Sequence, residues 1–173
     1  MVRWYERAML NIAGSAGVPR HIAFIMDGNR RWAVRQGKAK LEGHSFGLDK
    51  LIEVLDWCLL LGVAEVTVFA LSMDNLQRPE EEVQELMRLI RKASEKLNRE
   101  GDFLNQKGVR VRLAGDLSLL GPVERQALEQ LAQSTVHNSS LVLNLCVAYG
   151  GLEELTQAVA TVQRQVQAGL SPE

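Results

Sequence analysis

HIAFIMDGNRRWA, residues 21–33, is the stretch from which the fold can be read. A continuous apolar run, Ile22 to Met26, stops at Asp27-Gly28-Asn29 and passes straight into Arg30, Arg31 and Trp32. A short apolar run that ends at a turn signal reads as a strand buried in a parallel sheet. Three further stretches match it. Glu65 to Ala70 (EVTVFA) is rich in β-branched residues, Val109 to Leu113 (VRVRL) alternates with period two, and Leu141 to Val147 (LVLNLCV) is almost wholly apolar. Three of the four strands are expected to be buried on both faces.

Helical periodicity fills the intervals. Leu48, Leu51, Ile52, Leu55 and Leu59 share one face of a helix ending near Gly62, and Val83, Leu86, Met87, Ile90, Ala93 and Leu97 mark a longer helix opening at Pro79. Pro122 opens a third, through about Gln133, and Leu152, Leu155, Val159, Val162 and Val166 mark a last one stopping near Gly169. Strand and helix alternate throughout, which predicts an α/β fold: a single domain with a parallel β-sheet flanked by helices. The domain is expected to span residues 19–173, preceded by an N-terminal helix and lead-in over 1–18. Val2 to Ala13 places Trp4, Ala8 and Ile12 near one face, to dock on the domain itself or to meet a partner or membrane interface.

Composition narrows the classes. The chain has 173 residues, enough for a core without staples, and a net charge of -1, so no global basic field points to nucleic acid. Cys58 and Cys146 lie in apolar stretches without metal-type spacing and read as buried thiols. The longest apolar run, Trp57 to Ala64, is too short to cross a bilayer, so any membrane contact would be peripheral.

In a parallel sheet, ligands bind beyond the carboxyl ends of the strands. Two loops meet that condition, Asp27 to Trp32 after the first strand and Leu71 to Pro79 after the second. They face one another if these strands are neighbours. From Arg30 to Lys40 there are five cations and no acid, with His44 shortly after, and Gly28 lets the backbone approach a ligand closely. A multiply charged anion such as a diphosphate suits this place. Asp27 would repel it, unless a magnesium ion takes oxygen ligands from the carboxylate and the phosphates together. Asp-Gly is also a turn signal, and Asp27 would equally serve as a helix cap.

The motifs taken together resemble a known family. HIAFIMDGNRRWA, Gly43-His44, FALSMDNLQRPEEEV and NLCVAYGG look like the cis-prenyltransferases, which include undecaprenyl and dehydrodolichyl diphosphate synthases. The double arginine after Asn29, Trp57-Cys58 and WYERAMLNIAG are closer to the eukaryotic dehydrodolichyl type. The resemblance implies Mg²⁺-dependent addition of isopentenyl diphosphate to an allylic diphosphate such as farnesyl diphosphate, with cis stereochemistry, to build long polyprenyl diphosphate for dolichol synthesis. It implies Asp27 as the metal-associated catalytic acid and Asn75 as a helper in proton removal. Gly28, Asn29, Arg30, Arg31, Trp32, Lys40, His44, Ser72, Met73, Asp74, Leu76, Arg78 and Glu82 would bind substrate. The helices after His44 and Pro79 would wall a tunnel, with Ala70 leaving space in it.

The implied partner is a second copy or a related cis-prenyltransferase subunit. The implied location is peripheral, on the cytoplasmic side of the endoplasmic reticulum membrane if the protein is eukaryotic and cytoplasmic otherwise. Asp74, Leu76, Lys40 and Leu152 stand where the family usually has Glu, an aromatic, Arg and Arg. The family pattern continues beyond Glu173, so the match covers its first two thirds and points to a domain truncated on its C-terminal side. The other reading is a non-catalytic or partner-dependent isoform that binds a subunit or polyprenyl diphosphate.

Overall fold

The computed structural model describes residues 3–40, 42–99 and 101–169. Its strands are β1 (His21–Ile25), β2 (Glu65–Phe69), β3 (Val109–Ala114) and β4 (Leu141–Cys146), in one parallel sheet ordered β1-β2-β4-β3. Each strand boundary lies within one residue of its expected position. The helices are α1 (Trp4–Gly14), α2 (Asn29–Arg35), α3 (Glu42–Leu61), α4 (Met73–Leu76), α5 (Glu80–Arg99), α6 (Gly101–Gln106), α7 (Pro122–Ser134) and α8 (Gly151–Gln167). The short α4 and α6 carry no apolar repeat of their own and were not legible from periodicity.

One face of the sheet holds the core. Val66 and Val68, Val109 and Val111, and Leu141, Leu143 and Leu145 point the same way and pack with Leu51 and Leu55 of α3, Leu97 of α5, Leu104 of α6 and Leu128 and Leu131 of α7. Each such side chain contributes about 1.5–3 kcal/mol through burial.

The opposite face departs from expectation. β1 is not buried on both faces: its exposure alternates, and Ile25 is 79% exposed. The cause is its place at the edge of the sheet, with no helix covering its second face among the described residues. On that face His21 Nε2 meets Thr67 Oγ1 at 2.7 Å, and Asn144 Nδ2 donates to Thr67 Oγ1 at 3.1 Å and to Glu65 Oε1 at 2.6 Å. These polar residues satisfy one another across three strands.

The other edge is closed by side chains. Thr135 Oγ1 accepts from the backbone N–H of Val111 at 3.0 Å, and Asn138 Nδ2 donates to the carbonyl of Val109 at 2.9 Å. Such capping blunts an edge that would otherwise pair with another chain. α1 packs on α3 with Leu10 and Gly14 half-buried, whereas Trp4, Ala8 and Ile12 face outward. The expected N-terminal helix began at Val2, which lies outside the described residues, as do 170–173 at the far end.

Candidate active site

β1 and β2 pair directly, so their two following loops meet at the carboxyl end of the sheet. Gly28 caps α2 with φ 84°, a left-handed conformation that a β-carbon would strain. α2 then lies tightly on α3. A β-carbon at Gly43 would stand 2.2 Å from the Asn29 carbonyl oxygen, and one at Gly47 would stand 2.7 Å from Asn29 Nδ2. Two glycines one helical turn apart thus let α3 hold Asn29 in place.

In the second loop Ser72 caps α4. The Asn75 N–H donates to Ser72 Oγ and the Ser72 N–H donates to Asn75 Oδ1, both at 3.2 Å. This reciprocal pair is a capping box with Asn in place of the usual Glu or Gln, which hid it in the sequence. A bridge from Ser72 to Tyr149 ties the loop to the end of β4.

Between the loops opens a cavity of about 550 Å³. Asp27, Gly28, Asn29, Arg30, Arg31, His44, Ser72, Asn75 and Arg78 line its polar end. Leu48, Ile52 and Leu55 of α3, Leu86, Ile90 and Leu97 of α5, and Leu128 and Leu131 of α7 wall the rest against Val68, Leu143 and Leu145. Ala70 lines it as expected. The share taken by α7 was not foreseen, because the sequence marked only where that helix opens and ends. The volume is that of an ordinary small-molecule site.

A second cavity of about 370 Å³ adjoins it, sharing Arg30, His44 and Arg78 and adding Lys40, Glu82 and Glu85. Trp32, Met73, Asp74 and Leu76 line neither. Trp32 packs on the ring of Phe46 with centroids 5.1 Å apart, Asp74 is exposed, and Met73 and Leu76 pack against the core. His21 and His137 are exposed and lie away from both cavities.

The charges at the mouth are arranged in pairs. Arg31 Nη2 meets Asp27 Oδ2 at 2.9 Å, and Asp27 Oδ1 accepts the Gly28 N–H at 2.6 Å. Both side chains are largely exposed, so the pair contributes little to stability and is free to exchange partners. Glu82 Oε2 lies 3.2 Å from Arg30 Nη1 and 3.7 Å from Arg78 Nη1, joining the two loops. Burial, and then the Arg30 and Arg78 cations, hold the His44 imidazole below the ordinary histidine range, against a smaller opposing effect of Glu85. His44 is therefore neutral near pH 7 while the site holds no anion. No group of three His, Cys, Asp or Glu gathers for a metal among the described residues. Asp27 is the one carboxylate lining the main cavity among the described residues.

Comparison with known proteins agrees with this geometry. Residues 25–172 match the family model described as putative undecaprenyl diphosphate synthase. The chain is 42% identical over 166 residues to the dehydrodolichyl diphosphate synthase complex subunit DHDDS of Homo sapiens, covering 96% of this chain and 50% of the human one. It is 41% identical over 167 residues to the tritrans,polycis-undecaprenyl-diphosphate synthase (geranylgeranyl-diphosphate specific) of Methanopyrus kandleri, covering 96% and 61%. The crystal structure of lavandulyl diphosphate synthase from Lavandula x intermedia, in complex with dimethylallyl diphosphate, superposes with a TM-score of 0.82 at 28% identity, over 88% of this chain and 64% of that one. The chain thus spans between half and two thirds of the length of these relatives. A parallel sheet whose cationic mouth opens on an apolar cavity, and motifs shared across nearly the whole chain, place it in the cis-prenyltransferase family of undecaprenyl diphosphate synthases.

Proposed function

We propose that this chain binds an allylic diphosphate, such as farnesyl diphosphate, and extends it with isopentenyl diphosphate to a cis-polyprenyl diphosphate of the kind used for dolichol synthesis. One observation carries the reading: Arg30, Arg31, His44 and Arg78 converge at the mouth of a cavity whose interior is apolar. The cations suit a diphosphate and the interior suits a hydrocarbon tail. Charge builds on the diphosphate as the allylic C–O bond breaks, and fixed arginines stabilise it without reorganising. The capping bonds orient Ser72 and Asn75 at the reacting end, where Asn75 would assist loss of the proton. Apolar walls keep water from the electron-deficient carbon.

Asp27 fits a magnesium ion that arrives with the substrate, since Mg²⁺ is commonly held by one or two carboxylates plus phosphate oxygens. Bound there, the ion would add Lewis-acid stabilisation of the leaving diphosphate. A related subunit or a second copy is the proposed partner. The proposed location is the cytoplasmic side of the endoplasmic reticulum membrane if the protein is eukaryotic, and the cytoplasm otherwise. Peripheral contact there is supported by the exposed Trp4, Met9 and Ile12 of α1 and by the lack of any described helix long and apolar enough to cross a membrane.

The test is incorporation of radiolabelled isopentenyl diphosphate onto farnesyl diphosphate with Mg²⁺, with and without a related subunit. Incorporation that Asp27→Ala reduces by about 10²-fold or more supports the assignment. Undiminished transfer by that variant removes Asp27 from the chemistry. A chain that binds a subunit or polyprenyl diphosphate but transfers nothing under either condition supports the non-catalytic reading.

A further inference from the structure

Ala148 is the one non-glycine residue with a positive φ among the described residues, at 49°. A side chain in that left-handed region strains the backbone, and such positions persist only where their surroundings fix them. Two contacts fix this one. The Asp116 N–H donates to the Ala148 carbonyl at 3.0 Å, and a β-carbon at Gly115 would stand 2.1 Å from the Val147 carbonyl oxygen. The end of β3 is therefore pressed against the end of β4. Between them the chain turns sharply from Val147, which lines the main cavity, to Tyr149, which lines neither cavity. The proposed chemistry gives this strained turn no part.

Tyr149 is where the turn meets the second loop. Its N–H donates to the Leu71 carbonyl at 3.2 Å and its carbonyl accepts the Met73 N–H at 3.1 Å, so Ser72 is bracketed from both sides. Ser72 in turn caps α4 and holds Asn75, and both line the polar end of the main cavity. Side-chain contacts hold Tyr149 itself. Its ring stands edge-on to Phe69 of β2, with centroids 5.9 Å apart and planes at 85°. Its hydroxyl donates to Glu154 Oε2 in the first turn of α8, and that bond raises the hydroxyl above the ordinary tyrosine range, which keeps it a donor at neutral pH. Gly150 closes the corner, since a β-carbon there would stand 3.2 Å from Met73 Cγ.

We propose that Tyr149 is a positioning residue for prenyl transfer: its ring, seated on Phe69, fixes the backbone that sets where Ser72 and Asn75 stand at the reacting end. The inference rests on the prenyl transfer reading above and names what places the loop that reading depends on. Tyr149 acts through two backbone hydrogen bonds and not through the substrate. A shift of about 1 Å in a group that must meet a reacting atom lowers a rate by up to about 10²-fold. In the same reading the diphosphate is held by Arg30 and Arg31 on α2 and by His44 on α3, none of which hangs from the bracketed loop. Disturbing Tyr149 should therefore slow the reaction and leave allylic binding nearly as it was.

The experiment compares the wild-type chain with Tyr149→Ala, Tyr149→Leu and Tyr149→Phe, with and without a related subunit. It measures steady-state incorporation of radiolabelled isopentenyl diphosphate onto farnesyl diphosphate with Mg²⁺, equilibrium binding of farnesyl diphosphate, and a thermal melt of each variant. The expected result is that Tyr149→Ala lowers kcat about tenfold or more and keeps farnesyl diphosphate affinity within about threefold. Tyr149→Leu gives the same split, and carries the test if the alanine variant does not fold. Tyr149→Phe keeps at least about half of the wild-type kcat, because its ring still sits on Phe69. Wild-type kcat in the folded alanine or leucine variant overturns the inference and leaves the proposed function standing. Parallel loss of kcat and farnesyl diphosphate affinity also overturns it, since the disturbance is then a general one. A phenylalanine variant as slow as the alanine one overturns it too, because the ring is then not what seats the corner. Wild-type protein that transfers nothing under either condition overturns the prenyl transfer reading and this inference with it.

Discussion

α5 and α8 are alike as sequences and opposite as structures. Both are long, both carry glutamates in the first turn, and both carry an apolar stripe at helical spacing. α5 turns its stripe inward, with Leu97 buried and Leu86, Met87 and Ile90 packed against the core. α8 has no buried residue, and Leu152, Leu155, Val159, Val162 and Val166 are 44–74% exposed. Periodicity states that a helix has an apolar face. It does not state what that face meets, which depends on the elements the topology brings alongside. α5 connects β2 to β3 and is enclosed by α3 and α7, whereas α8 follows β4 and finds no opposing layer among the described residues.

The sharpest way to break this comparison is to remove the same group from each helix. Leu97→Ala on α5 is expected to cost about 2–5 kcal/mol in a denaturant melt, through lost burial and the void left behind. Leu155→Ala on α8 is expected to stay within about 0.5 kcal/mol. A large loss at Leu155 would show that the α8 stripe is covered in solution.

Glycines give a second contrast of smaller size. Gly43→Ala drives a β-carbon into the Asn29 carbonyl, so it is expected to destabilise by about 1–3 kcal/mol and to weaken diphosphate binding through α2. Gly151→Ala, at the start of α8 with nothing within 4 Å, is expected to be neutral or stabilising by up to about 1 kcal/mol. Hydrogen exchange offers a third contrast, with α8 amides exchanging before those of α5.

The smallest expected effect is electrostatic. His44 is held below its unfolded value, so its contribution to stability is whole above about pH 6.5. As pH falls below that, the unfolded chain takes up the proton first and stability declines, levelling once the folded His44 protonates too. Thermal melts from pH 7.5 to 5 should show this slope, and His44→Gln should flatten it.

The sequence showed the strands almost to the residue, because β-branched apolar runs bounded by turns have few other readings. It misjudged β1, since a continuous apolar run looks the same at a sheet's edge as in its middle. The site was legible where charge and glycine cluster, at Asp27 to Arg31 and at His44. Lys38 belongs to the same run of cations but sits over the Phe46 ring, 4.8 Å from its centroid, because α2 ends at Arg35 and the chain turns away from the cavity. Spacing alone could not distinguish it from Lys40. Ser72 and Asn75 had a hidden structural role, since their mutual capping is visible only when both backbone N–H groups are located.

Glu82 has a consequence for how the site responds to salt. Its single negative charge already lies against Arg30 and Arg78, offsetting one of the two cations before any ligand arrives. An incoming diphosphate therefore does not meet bare cations surrounded by mobile ions. It displaces an internal counter-ion, and what is released on binding is a tethered carboxylate rather than dissolved anions. Affinity at this mouth should fall less steeply with ionic strength than its arginines alone would dictate.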